Sequence, residues 1–183
     1  MAIEQPVLLT DRLILRPYTP DDAPELAERL NNPKIYSTTL ALPYPYEEHH
    51  AVEWISTHQA SLERGTAVHF AVTLKTDRTI IGTVSLMSIN EMHRRAEIGY
   101  WIGPDHWNQG YATEAGQAVL DYGFRRLNLH RIQAQHFKRN PSSGRVIQKL
   151  GMQKEGFSRH AAYRAGRWHD LINYAILETD PRP

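Results

Sequence analysis

Between Glu97 and Ala115 the chain reads Glu-Ile-Gly-Tyr-Trp-Ile-Gly-Pro-Asp-His-Trp-Asn-Gln-Gly-Tyr-Ala-Thr-Glu-Ala. An apolar strand runs there into a short polar loop, a tight glycine turn and the first turn of a helix. The first N–H groups of a helix lack internal partners, and the helix dipole adds partial positive charge. Gly110 and Ala112 leave room for a phosphate to approach the backbone. Gln109, Gly110, Tyr111, Ala112 and Thr113 therefore form a candidate phosphate cradle, working mainly through backbone N–H groups. The alternative is an ordinary strand-to-helix turn in which Gly110 serves only backbone geometry. Such a cradle suits a phosphate-bearing ligand, most often a nucleotide-containing cofactor. Glu97 is a carboxylate in an otherwise apolar strand, so partial burial and a raised pKa are expected, the properties of a general base. A structural ion pair or a capped bulge is the alternative for Glu97. Glu114, in the first helical turn, is read as complementing the dipole, since a carboxylate facing phosphate would oppose binding.

These groups need a scaffold, and the residue pattern predicts one. Leu8 to Tyr18 reads as a strand. Thr19-Pro20-Asp21-Asp22 starts a helix that Asn31-Asn32-Pro33 ends. After the stiff segment Leu42 to Tyr46, a second helix is expected from about Glu47 to Arg64, with Gly65 as its stop. His69–Lys75, Thr79–Ile89 and Arg95–Ile102 read as an antiparallel meander. A third helix spans about Gly110 to Leu127, and Arg131–Phe137 is a strand. Asn140-Pro141 opens a short helix that Gly151 closes. Met152–Tyr163 and Trp168–Leu177 form a final hairpin. The expected fold is α+β, with one strand–helix–strand crossover in its middle.

Composition narrows the function classes. The 183 residues suit about one domain able to bury a core; 41% are hydrophobic and 22% charged. A net charge of +1 argues against general nucleic-acid binding. The chain has no cysteine, which excludes disulfides, thiolate metal sites and a Cys nucleophile together. Ten histidines are present, but none falls in a ligand spacing with carboxylates, so no metal site is expected. No signal-peptide pattern or bilayer-spanning run is seen, and a cytoplasmic protein is expected. A dinucleotide-binding Rossmann reading fails, because the strand before the loop follows a meander and no Gly-x-Gly-x-x-Gly occurs.

The element order and five motifs resemble the GNAT superfamily of acyl-CoA-dependent N-acyltransferases, and within it the ribosomal-protein N-terminal acetyltransferase group. The motifs are Thr10-Asp11-Arg12-Leu13-Ile14-Leu15-Arg16-Pro17, Ala96 to Ile102, Trp107 to Ala115, Asn140-Pro141-Ser142-Ser143 with Lys149-Leu150-Gly151-Met152, and Gly166-Arg167-Trp168-His169-Asp170. They span nearly the whole chain in the right order. One departure is plain: Trp107 stands where the superfamily commonly has Gln or Arg, which removes a side-chain phosphate ligand but no backbone one.

The resemblance implies a single domain over residues 1–183, with a mixed, mostly antiparallel sheet splayed between its fourth and fifth strands and about four flanking helices. It implies acetyl-CoA as cosubstrate, direct transfer to a primary amine, and coenzyme A as product. Backbone groups of Tyr100, Trp101 and Ile102, freed by the splay, would bind the pantetheine arm and polarise the thioester. Asn140 would bond cofactor amides, although Asn before Pro is equally a helix N-cap. Ser143 would protonate the departing thiolate, in place of the Tyr that many GNAT enzymes carry further along that helix; the alternative is a small surface Ser. Arg145, and less so Lys149, would touch the 3′-phosphate. Tyr44, Tyr46, Tyr163 and Trp168 are candidates for the acceptor pocket, with Trp54 more at home in the core. The acceptor is expected to be a protein N-terminus, most readily ribosomal. A small-molecule amine and a non-catalytic acyl-CoA-binding module are the alternatives. The family resemblance allows a homodimer, and nothing in the pattern demands one.

Overall fold

The computed structural model describes residues 4–182. Its eight-stranded sheet comprises β1 (Leu8–Leu9), β2 (Leu13–Arg16), β3 (Val68–Leu74), β4 (Ile80–Asn90), β5 (Arg95–Ile102), β6 (Arg131–Phe137), β7 (Gln153–Arg164) and β8 (Arg167–Leu177), ordered β1-β2-β3-β4-β5-β6-β8-β7. The helices are α1 (Ala23–Leu30), α2 (Pro33–Thr38), α3 (Glu48–Ser56), α4 (His58–Glu63), α5 (Tyr111–Arg125) and α6 (Pro141–Lys149). Every neighbouring strand pair is antiparallel except β5–β6.

That parallel pair is short. It runs through Arg95↔Arg131, Ala96↔Ile132 and Glu97↔Gln133 and stops there. From Ile98 onward β5 stays paired with β4 alone, and from Ala134 onward β6 stays paired with β8 alone. The expected splay is therefore present, and it opens at Glu97.

Both faces of the sheet are covered, which is why β3 reads as a nearly continuous apolar run. Phe70 and Val72 enter a large cluster with Leu86, Ile98, Val119, Leu120, Ile132 and Ile147, packing α5 and α6 onto one face. Ala71 joins Tyr18, Leu26, Leu30, Ile35 and Ile55 on the other face, beneath α1 to α3.

Three local expectations differ from the structure. The first strand is a hairpin, because Leu8 and Leu9 fold back onto Leu15 and Ile14. The Thr10 hydroxyl accepts from the Leu13 N–H at 2.9 Å and closes that turn. Pro33 begins a helix as well as ending one: Asn32 caps α2 by accepting from the Lys34 N–H at 2.9 Å, and Pro33 takes the first helical position. The helix expected over 47–64 breaks at Thr57, whose hydroxyl donates to the Trp54 carbonyl at 2.7 Å. Among the described residues six helices thus stand where about four were expected. Among the described residues, no helix is long and apolar enough to cross a membrane.

The break also buries a histidine pair. His58 of α4 stacks on His69 of β3 with ring centroids 4.4 Å apart, and Trp54 meets His58 edge-on at 4.2 Å. His69 Nδ1 lies 2.8 Å from the Ser85 hydroxyl. Neither ring nitrogen of His58 has a hydrogen-bond partner among the described residues. Burial pushes His58 down to about 3, helped by neighbouring His69, and pushes His69 down to about 4. The unfolded chain therefore binds protons below pH about 6.5 that the folded chain refuses. The stability present above that pH falls as pH drops toward the folded values, by about 1.4 kcal/mol per pH unit for each such proton. His58→Met keeps the volume and removes both the orphaned nitrogens and the proton site. Its melting temperature should exceed that of the parent by more at pH 5 than at pH 8, as read by thermal denaturation; an equal shift at both would refute this role.

Candidate active site

The phosphate cradle is built by the exit from β5. The Trp107 indole N–H donates to the Ile102 carbonyl at 2.6 Å and folds the loop back onto the strand end. Asn108 and Gly110 then take left-handed conformations, φ 60° and 84°, which swing the chain into α5. No side chain caps this helix at Gly110. The N–H groups of Tyr111, Ala112 and Thr113 precede the first helical bond, Glu114 N–H to the Gly110 carbonyl at 3.0 Å.

A second element braces the cradle from behind. Arg12, in the β1–β2 turn, donates to Glu114 at 2.7 Å and to the Gln109 carbonyl at 3.0 Å, and lies 4.4 Å over the Tyr111 ring. Glu114 also accepts from the Arg12 N–H at 2.8 Å and the Thr10 hydroxyl at 2.6 Å. Burial works against ionisation of Glu114, but the hydrogen bonds from Thr10 and Arg12 outweigh it and hold the carboxyl below its usual range. Glu114 thus does more than complement the dipole: it ties the helix start to the edge hairpin, away from the cleft.

In front of the cradle lies a cavity of about 390 Å³. Tyr100, Trp101 and Ile102 form one wall, and Gly110, Tyr111, Ala112 and Thr113 close one end. Asn140, Ser143, Arg145 and Lys149 of α6 form the opposite wall. Gln109 does not line it; its side chain donates to the Asp105 carbonyl at 3.1 Å. The Asn140 side chain accepts from the Ser143 N–H at 3.3 Å, so it is the cap of α6. Arg145 donates to the Ser142 hydroxyl at 2.8 Å.

A second cavity of about 270 Å³ continues from the first, sharing Tyr100, Trp101 and Ser143 with it. Glu97 lines this second space. Gln133 and Gln135 each donate to one oxygen of its carboxylate, at 3.2 and 3.1 Å, and so fix its orientation. At the junction the Tyr100 hydroxyl donates to the Ser143 carbonyl at 3.0 Å and lies 2.9 Å from the Ser143 hydroxyl. Burial pushes the Tyr100 phenol up to about 12, so it stays protonated. Thr38 and Thr39 overhang both cavities. Their segment is tied across the opening by Arg164, bound to the Tyr36 and Leu42 carbonyls, and by Arg139, bound to the Ser37 carbonyl.

The aromatic residues named from sequence divide. Tyr46 and Trp54 line the second cavity. Tyr44, Tyr163 and Trp168 line neither; they are 48%, 63% and 56% exposed, the last two packed on each other at the β7–β8 tip with centroids 5.1 Å apart. The second cavity is also walled by strand residues that sequence reasoning passed over, among them Thr83, Ser85, Met87 and Gln135. Alternating Thr83 and Ser85 in an apolar strand was the available signal for them. Arg12 was also passed over, since an Arg in a surface turn has no pattern of its own. Among the described residues, no group of three potential ligands could hold a metal ion.

Comparison with known proteins decides the family. Residues 12–153 match the family model described as Acetyltransferase (GNAT) domain. This chain belongs to the GNAT acetyltransferases. It is 35% identical over 173 residues to the uncharacterised N-acetyltransferase YoaA of Bacillus subtilis (strain 168), covering 94% of this chain and 97% of that protein. It is also 35% identical over 97 residues to the spermidine N(1)-acetyltransferase of Escherichia coli (strain K12), covering 53% and 52% of the two. The structure of the ribosomal alpha-N-protein acetyltransferase RimL, in complex with coenzyme A, superposes with a TM-score of 0.86 at 21% identity, covering 94% and 98% of the two chains. In this GNAT enzyme, a side chain at Gly110 would be forced into a left-handed conformation costing about 1–2 kcal/mol, and its Cβ would sit 3.4 Å from the Arg12 guanidinium. Gly110→Val is expected to weaken coenzyme A binding at least ~10-fold by calorimetry, since one lost or misaimed charge-assisted hydrogen bond is worth about 1.5–3 kcal/mol. Unchanged affinity would remove the cradle from the binding site.

Proposed function

We propose that this GNAT enzyme moves the acetyl group of acetyl-CoA directly onto a primary amine, with the α-amine of a protein or peptide N-terminus as the favoured acceptor. The observation that carries this reading is the meeting of two cavities at Tyr100, Trp101 and Ser143, with Glu97 on the far side. In this reading the larger cavity takes acetyl-CoA, its pyrophosphate on the N–H groups of Tyr111 to Thr113. The pantetheine arm lies along the free edge of β5, where backbone groups substitute for a missing strand. Arg145 and Lys149 face the phosphate-bearing end.

The amine nitrogen attacks the thioester carbonyl, a C–N bond forms and the C–S bond breaks. Glu97 takes the ammonium proton directly or through water. The leaving thiolate takes a proton from the Ser143 hydroxyl, which the neighbouring Tyr100 phenol can replenish. An α-amine has a pKa of about 7.7–8.0, so much of it is already neutral near pH 8 and the demand on Glu97 is moderate. A small-molecule amine is the second reading, favoured by the small volume of the acceptor cavity, about 270 Å³, and by the similarity to a spermidine acetyltransferase.

Thiol release from acetyl-CoA, measured with free-N-terminus peptides and with small amines, tests the assignment. Glu97→Gln should lower kcat/KM by ~10²-fold or more at pH 7, and the deficit should shrink at pH 9, where the amine arrives unprotonated. A pH-independent deficit would make Glu97 a structural carboxylate.

A further inference from the structure

The acceptor cavity restricts what amine can occupy it, an inference that rests on the transfer reading above. Leu42, Tyr46, Trp54, Met87, Ile98 and Phe137 supply apolar surface to its wall. Glu97 is the one carboxylate on that wall, and no Lys or Arg stands on it. At about 270 Å³, the space falls at the small end of ligand sites, near about 300 Å³.

Several of its remaining polar groups are already paired within the protein, while His136 Nε2, buried on the same wall, has no hydrogen-bond partner among the described residues. The Thr83 hydroxyl is 2.6 Å from the Tyr18 hydroxyl, and Ser85 is 2.8 Å from His69 Nδ1. Gln135 donates to Glu97. Thr38 and Thr39 donate to the Ile35 carbonyl, at 3.1 and 3.0 Å. A ligand hydroxyl placed anywhere but at His136 Nε2 would have to break one of these bonds, and a second ammonium would be desolvated with no second carboxylate to meet it. Either cost is several-fold or more in affinity, because buried polar groups without partners are strongly disfavoured. An apolar side chain loses nothing there and gains burial.

We infer that the acceptor presents one amine, at Glu97, on a bulky apolar or aromatic body with no second positive charge. Two sources share this chemistry: a peptide whose first residue is Leu, Met, Phe or Trp, and a free arylalkyl amine. Polyamines fall outside it, and Ser- or Ala-started chains are disfavoured.

The test is thiol release by the full-length protein with acetyl-CoA and five acceptors: Phe- and Leu-started tetrapeptides, phenethylamine, a Ser-started tetrapeptide and spermidine. The apolar acceptors should exceed the Ser-started peptide and spermidine in kcat/KM by at least ~10-fold, the discrimination expected from side-chain burial in an apolar pocket. Peptides ahead of phenethylamine would identify a chain N-terminus as the source, and the reverse order a small amine. A preference for spermidine or the Ser-started peptide would overturn this inference and leave acetyl transfer standing. Silence with every acceptor, despite coenzyme A binding by calorimetry, would overturn the transfer reading and this inference together. Two further readouts separate a real pocket from an accident of kinetics. Phenethylamine should raise the melting temperature only when coenzyme A is bound. Ser85→Asp, which adds a second carboxylate to the wall, should improve spermidine relative to phenethylamine by several-fold; no relative change would count against the pocket as the acceptor site.

Discussion

The early end of the β5–β6 pairing is the constraint on which this site depends. Three residue pairs hold the two strands together and then the ladder stops, at Glu97↔Gln133. Unpaired strand edges are costly when buried, since each N–H and C=O needs a partner. Here the opened edge of β5 borders a cleft, which on the transfer reading offers those groups to an extended ligand. The last paired residue is also the carboxylate. Glu97 stands where the strands part, and the two glutamines that hold it, Gln133 and Gln135, come from the facing strand. One backbone event thereby places a ligand groove and a candidate base at fixed separation.

A splay of this kind weakens the sheet at its centre, and other contacts compensate. Side chains bridge the parting: Gln135 of β6 reaches Glu97 of β5, and Tyr100 of β5 reaches Ser143 of α6. Arg139 binds the backbone at the end of α2, and Arg164 that of the segment after it. The start of α5 is held by Arg12 and Glu114, an ion pair with Glu114 well covered and Arg12 about half exposed. Such a pair is worth little as surface Coulomb energy. Its value is positional, because the same guanidinium also holds the Gln109 carbonyl and the Tyr111 ring. The cradle is shaped before any ligand arrives, which limits the ordering cost of binding.

Legibility in the sequence followed the kind of chemistry at each place. The cradle works through backbone N–H groups, so it demands a glycine of positive φ and a helix start, and both leave marks at fixed spacing around Gly110. The meander and crossover were legible for a similar reason, through strict strand periodicity and short turns. The acceptor wall is different. It is assembled from β3, β4, β5, β6 and the α3 helix, far apart in the chain, and its residues are mostly those any buried strand would carry. Aromatic character alone pointed to Tyr163 and Trp168, which lie at the solvent-facing tip of the last hairpin, because residue type cannot tell a pocket from a hairpin end. The break at Thr57 was hidden for a local reason: a Thr that bonds back to the preceding turn is compatible with helix and with helix end.

The same division bears on how a GNAT scaffold changes substrate. The cofactor half is tied to backbone geometry, and an alteration there disturbs α5 and the strand exit together. In the proposed acceptor half, the side chains from β4 stand on a strand whose backbone is already paired on both sides. Ser85 or Met87 can change while β4 keeps its ladder to β3 and β5. Similarity that runs through Trp107 to Ala115 therefore speaks for the shared cosubstrate chemistry and says little about the amine. On the transfer reading, the amine is selected by the charges and free hydrogen-bonding groups on the wall of the second cavity. Here these are one carboxylate, the Tyr100–Ser143 pair and the unpartnered His136 Nε2 in a largely apolar surround.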